Sequence, residues 1–133
     1  MKAIKKIGGI IINNKKMLVV RKRGTDVFIF PGGKVEGTES SEQTLMRELM
    51  EELGIEVFNF RYLGTFIEPA ALERNTEVEL EIYFVDTRGE FVPKSEIKEY
   101  RWIDSSYKNK GIRLGSVLGK HTIPKLLEKG LIE

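Results

Sequence analysis

The stretch PGGKVEGTESSEQTLMRELMEELGI, residues 31–55, carries Glu36, Glu39, Glu42, Glu48, Glu51 and Glu52. Like charges three or four residues apart on a helix repel by a few tenths of a kcal/mol per pair, so such crowding costs stability unless something offsets it. At about 100° per residue, Leu45, Met46, Leu49, Met50 and Leu53 fan over roughly 140° of a helix, and Glu48, Glu51 and Glu52 are expected to gather on the opposite side. Arg47 stands four residues before Glu51, but one guanidinium does not neutralise three carboxylates. Carboxylate and carbonyl oxygens are the ligands that hard Mg²⁺ or Mn²⁺ prefer, in shells completed by water and substrate phosphates. The loop PGGKVEG in front of the helix supplies glycines where backbone must turn tightly or approach a ligand. Two readings stand at this level: a phosphate-bridging metal site, or a solvated acidic helix face.

The elements that must position these residues follow from periodicity. Residues 3–13 and 17–23 read as strands joined at Asn13-Asn14 in a hairpin. Residues 27–30 form a short apolar run stopped by Pro31-Gly32-Gly33. A helix is expected from Thr38 or Glu39 to Leu53, with Ser40 or Thr38 as N-cap and Gly54 as C-cap. Residues 56–67, 77–87 and 98–103 are strand-like, the second alternating Val78, Leu80, Ile82 and Phe84 against Glu77, Glu79, Glu81 and Tyr83. A last helix is expected around Ile123, Leu126 and Leu127, with Thr122 as N-cap, Pro124 in the first turn and Gly130 as its stop. The pattern has no linker or repeat, so residues 1–133 are expected to form a single α+β domain with a mixed sheet.

Composition narrows the function classes. With 32% charged and 41% hydrophobic residues the chain has an ordinary globular balance. It has no cysteine, which excludes a disulfide framework and a thiolate metal site and fits a cytoplasmic protein. The apolar run near the N-terminus is too short for a signal peptide, and no window suits a membrane span. A net charge of +2 is too small for a general nucleic-acid binder.

Gly33, five residues, Glu39, seven residues, Arg47-Glu48-Leu49, one residue, Glu51-Glu52, one residue and Gly54-Ile55 resemble the Nudix box without a departure. The order of hairpin, glycine loop and later strands is similar to the MutT-like branch of that family. The resemblance implies a Nudix fold, an α/β/α sandwich with a central mixed β-sheet, and metal-dependent hydrolysis of a nucleoside diphosphate linked to another group. It implies Mg²⁺ or Mn²⁺ as cofactor, held by Glu51, Glu52 and the Gly32 carbonyl, with Glu48 as general base or further ligand. Arg47 would orient the glutamates, and Glu39 would be a structural partner. Glu96 stands at the spacing of an additional acidic ligand, with Glu99 as its rival.

Outside the box, Lys22 and Arg23 are candidates for substrate phosphates, Trp102 or Phe28 for stacking on a base, and His121 for packing near the last helix. Pro69 lies near a proline of ADP-ribose-hydrolysing members. The tyrosine expected of dinucleoside-polyphosphate hydrolases and the asparagine expected for oxidised-guanine recognition are missing. Prenyl-diphosphate isomerisation would need a cysteine that the chain lacks. The expected partner is a free nucleotide, with neither a nucleic-acid polymer nor a membrane. The short chain, without an added N-terminal segment, leans toward a nucleoside triphosphate cleaved to monophosphate and pyrophosphate. The alternatives are an ADP-ribose or nucleotide-sugar pyrophosphatase and a non-catalytic nucleotide-sensing module.

Overall fold

Four consecutive apolar residues, Met17 to Val20, leave no polar face on the strand that carries them, so both faces must be covered. The computed structural model describes residues 2–69 and 74–133 and meets that demand. Its strands are β1 (Lys2–Ile10), β2 (Ile12–Asn13), β3 (Lys16–Lys22), β4 (Val27–Phe28), β5 (Gly32–Lys34), β6 (Glu56–Pro69), β7 (Thr76–Arg88), β8 (Ile97–Ile103) and β9 (Arg113–Leu114). The helices are α1 (Ser41–Leu53) and α2 (Ile123–Glu128), the latter entered through a π-helical turn, Leu118–Thr122. None is long and apolar enough to cross a membrane among the described residues.

The strands form a four-stranded sheet in the order β5-β1-β7-β6, a three-stranded sheet β2-β3-β8 and a short β4-β9 pair. Strands β1 and β7 run parallel from Lys2↔Thr76 to Ile10↔Phe84, and their other neighbours in the sheet run antiparallel, so the sheet is mixed. Alternate residues feed two cores. Leu18 and Val20 point with Ile7 toward Leu45, Leu49 and Leu53 of α1. Met17 and Val19 point with Ile10 and Ile82 toward Leu118, Ile123 and Leu126. Helices therefore cover both sides of the strands, as an α/β/α sandwich requires.

Helix α1 begins as its sequence asks. The Ser40 hydroxyl accepts from the Gln43 N–H, the Gln43 side chain accepts from the Ser40 N–H, and Gly54 closes the helix in the left-handed conformation. Its faces differ from the helical-wheel expectation. Met46 and Met50 are half exposed, whereas Glu52 is 3% exposed. Glu52 follows Leu45 by seven residues, two turns, and so falls within roughly 20° of it rather than opposite.

The hairpin also shifts. The turn centres on Asn14 and Lys15, both with positive φ, and Asn13 pairs with Lys16. Two successive left-handed residues give the tight turn whose twist suits a hairpin, and only β2 takes part. Strand β1 leaves at Ile10 to join the other sheet. Thr122 is not an N-cap: its hydroxyl donates to the Val117 carbonyl at 3.4 Å, because α2 continues the preceding turn and has no free first turn there.

Candidate active site

Helix α1 packs against β5, and this sets the position of every carboxylate in the box. Arg47 is the centre of the arrangement. Its Nε donates to Glu39 Oε2 at 2.7 Å, its Nη2 to Glu39 Oε1 and the Lys34 carbonyl at 3.0 Å each, and its Nη1 to Glu48 Oε1 at 2.7 Å. One guanidinium thus joins the loop, the first turn of the box and the helix, using the fixed fork that only arginine has. Glu39 also accepts from the Glu36 N–H at 2.9 Å and the Thr44 hydroxyl at 3.1 Å. The Arg47 guanidinium, with the Glu36 N–H, holds the Glu39 carboxyl down at about 2. Glu39 in turn raises the already high pKa of Arg47.

The three box glutamates have three different environments. Glu51 is 55% exposed at its side chain and reaches Arg47 at 3.4 Å. Glu48 is 16% exposed and turns into a cleft of about 660 Å³. Glu52 lies beneath that cleft, its Oε1 accepting from the Gly32 N–H at 3.1 Å. Burial pushes the Glu52 carboxyl up to about 8, aided by neighbouring Glu48 and opposed by the Gly32 N–H and Lys22. The Lys22 charge offsets only part of what burial and Glu48 impose on this carboxyl, and a divalent ion at that spot would supply more positive charge. Among the described residues no three acidic or histidine side chains form a ready metal cage. The donor set fits an ion held by one or two carboxylates and completed by water and phosphate oxygens, which is the usual Mg²⁺ arrangement.

The two loop glycines face different neighbours, Gly32 a backbone and Gly33 the movable end of a side chain. A Cβ at Gly32, where φ is 141°, would lie 2.0 Å from the Ile7 carbonyl oxygen, and one at Gly33 would lie 2.5 Å from the Glu48 carboxyl carbon. The backbone here passes against β1 on one side and against the Glu48 carboxylate on the other.

The cleft gathers Gly32, Glu48, Lys22 and Glu96 from the sequence-derived candidates. Lys22 Nζ and the Glu96 carboxylate pair at 3.0 Å across it. Arg23 is exposed and outside the cleft lining; its backbone N–H holds the Glu96 carbonyl at 2.9 Å. Glu99 is engaged by Arg21 and by Arg101 at 2.9 Å, which together lower its pKa, so of the two rivals Glu96 faces the cleft. Phe28 is buried and Trp102 packs edge-on against Phe91 at 5.6 Å; neither lines the cleft. His121 stacks on Phe66 at 5.2 Å near α2.

Beyond Phe30, which lies beside Gly8, the cleft is lined by Ile4 of β1, Val78 and Leu80 of β7 and Leu118, with Lys6 of β1 among them, and it is rimmed by Glu68, Pro69 and Ser116. Sequence reasoning missed this end except for Pro69. The available signal was the alternation in β7, which places Val78 and Leu80 on one face, but their cleft-facing role depends on β1 lying alongside. A site with buried carboxylates at one end and an apolar slot at the other suits a ligand with a phosphate chain on a flat apolar group.

Comparison with known proteins follows the same lines. A model of the NUDIX domain matches residues 4–106. An 8-oxo-dGTP diphosphatase of Escherichia coli (strain K12) is 40% identical over 60 residues, 41% of this chain and 46% of that protein. A CTP pyrophosphohydrolase of the same organism is 39% identical over 69 residues, 49% of this chain and 51% of that protein. The chain thus spans about half the length of these curated relatives. The solution structure of the E. coli ORF135 protein superposes with a TM-score of 0.73 at 30% identity, covering 96% of this chain and 88% of that one.

Proposed function

The chain belongs to the Nudix family, and we propose that it is a divalent-metal-dependent pyrophosphohydrolase that cleaves nucleoside triphosphates to monophosphate and pyrophosphate, as MutT-like members do. One observation carries this reading: a single cleft joins Gly32 and Glu48, with Glu52 bonded to the Gly32 N–H, to a largely apolar stretch lined by Ile4, Val78 and Leu80. The relatives named for 8-oxo-dGTP and CTP support a triphosphate substrate.

Glu52, Glu48 and the Gly32 carbonyl would hold the ion, with Glu96 from the opposite rim and Glu51 once released from Arg47. When bound, Mg²⁺ or Mn²⁺ would polarise the diphosphate oxygens and offset the charge that builds on them. The chain's own residues do the rest. Glu48, held at Oε1 by Arg47 and lining the cleft, takes a proton from the attacking water. Lys22 meets the phosphate chain as a point charge when it leaves Glu96. Gly32 and Gly33, without side chains, let phosphate oxygens come close to the backbone. Ile4 and Leu80 exclude water from the base end.

Pro69 at the cleft rim favours the second reading, an ADP-ribose or nucleotide-sugar pyrophosphatase. A panel of nucleoside triphosphates, ADP-ribose and nucleotide sugars with Mg²⁺ decides between them. The expected result is that a triphosphate has the highest kcat/KM. ADP-ribose cleaved at least tenfold better than every triphosphate would instead establish the second reading.

A further inference from the structure

We propose that Glu68 sets base selectivity at the apolar end of the cleft by accepting two hydrogen bonds from a guanine-type edge, with Ser116 as the residue that positions it. The inference rests on the triphosphate reading above and names the base class.

The sheet register puts Glu68 in the right place. Glu68 pairs with Val78, and Val78 with Ile4, so the three lie in one rung across β6, β7 and β1 with side chains on the same face. Gly32 pairs with Gly8, four residues further along β1. Four residues of strand rise about 13 Å, and the three strand spacings from β5 to β6 add about 14 Å across, so Gly32 and Glu68 lie about 19 Å apart along the sheet, the reach of one extended nucleoside triphosphate and a glutamate side chain. Phosphates held near Gly32 and Glu48 therefore bring a base over Ile4 and Leu80 with its polar edge toward Glu68.

The chemistry of Glu68 then selects the edge. The Ser116 hydroxyl donates to Glu68 Oε2, and among the described residues Oε1 has no hydrogen-bond partner. An ionised carboxylate only accepts, and each oxygen has two lone-pair sites, so both remain open to a ligand. Guanine presents two neighbouring donors, N1–H and the N2 amino group, spaced for one carboxylate. Adenine and cytosine set a donor beside an acceptor, and thymine sets its single N–H between two carbonyls that a carboxylate repels. The discrimination comes from the mismatch itself, since an acceptor facing the carboxylate is repelled and forms no hydrogen bond.

The test measures kcat and KM for dGTP, dATP, dCTP and dTTP with Mg²⁺ on wild type, Glu68→Gln, Ser116→Ala and Ser116→Thr. In the same set, binding of GMP and TMP is measured by calorimetry in chelator. The expected result is a preference of about tenfold or more for dGTP over dTTP in wild type. Glu68→Gln removes it, chiefly by raising KM for dGTP while dTTP stays level or improves. Ser116→Ala causes a smaller loss of the same sign, and Ser116→Thr restores it. If Glu68→Gln lowers all four substrates alike, or none, Glu68 does not read the base although the hydrolase reading stands. If no triphosphate is cleaved, the hydrolase reading falls and binding alone decides: a GMP preference lost in Glu68→Gln sustains the proposal, and equal GMP and TMP binding in wild type overturns it.

Discussion

The two ends of the cleft are built in opposite ways. At the carboxylate end, Arg47 ties Glu39, Glu48 and the Lys34 carbonyl together within residues 33–55, and Glu52 is locked to Gly32 from below. At the apolar end, Ile4, Glu68, Leu80 and Ser116 come from four separate parts of the chain and meet only because β1, β6 and β7 pair in one register. The first is a local device made by one loop and one helix. The second is a product of the whole sheet. Selectivity can therefore change by substitutions at Ile4, Glu68, Leu80 or Ser116, none of which is a box residue, while the carboxylate end stays as it is.

If that division holds, the largest effect belongs to Glu48. Glu48→Gln keeps the volume and helix propensity and should lower kcat by about 10²–10⁴. Its melting temperature should stay within a few degrees of wild type, read by circular dichroism beside the kinetics. Survival of kcat within about threefold would move the base role to Glu96.

The two glycines give a sharper comparison within the same end. Gly32→Ala forces a Cβ against the Ile7 backbone in a conformation that side chains avoid, and should destabilise by about 2 kcal/mol or more in urea unfolding. Gly33→Ala meets only the movable Glu48 carboxyl, so it should lower kcat at least tenfold with a stability loss under about 1 kcal/mol. Equal stability losses would show that the loop is a scaffold for the fold and not a seat for Glu48.

Lys22 and Arg23, adjacent in sequence, should separate. Lys22→Ala should raise KM for a triphosphate by about tenfold, the scale of one charged hydrogen bond, while Arg23→Ala should stay within about twofold. An equal rise for both would place the exposed Arg23 on the substrate.

The smallest effect is a pH dependence of stability. Arg47 holds Glu39 at about 2 against an ordinary 4.5, so between those values the unfolded chain binds more protons than the folded one. The contribution is present above 4.5 and is lost as pH falls through about 2. Glu39→Gln should flatten that stretch of the acid-unfolding curve, leaving a parallel curve as the contrary result.

How much of this was legible in the sequence follows the same division. The box fixed Arg47, Glu48 and Gly54 because their relations are set by spacing along one helix, and the capping box at Ser40 is equally local. The helical-wheel expectation is wrong for Glu52 because seven residues make about two turns, which set it over the core beside Leu45, where its carboxylate accepts from the Gly32 N–H. The hairpin was found, but not the departure of β1 from it at Ile10, because a strand's partner depends on residues more than sixty positions away. Glu68 and Ser116 gave no signal for the same reason: nothing near either one says that the other lies opposite. Glu96 could be separated from Glu99 only by seeing which of them Arg21 and Arg101 already hold.

The central claim is that the carboxylate end breaks a phosphoric anhydride within a triphosphate chain, and phosphorus NMR of dGTP incubated with the wild-type protein and Mg²⁺ tests it most directly. The dGMP and pyrophosphate signals should grow in equal amounts, stop with chelator and resume with added Mg²⁺. Release of orthophosphate with dGDP, or turnover that continues unchanged in chelator, would contradict it.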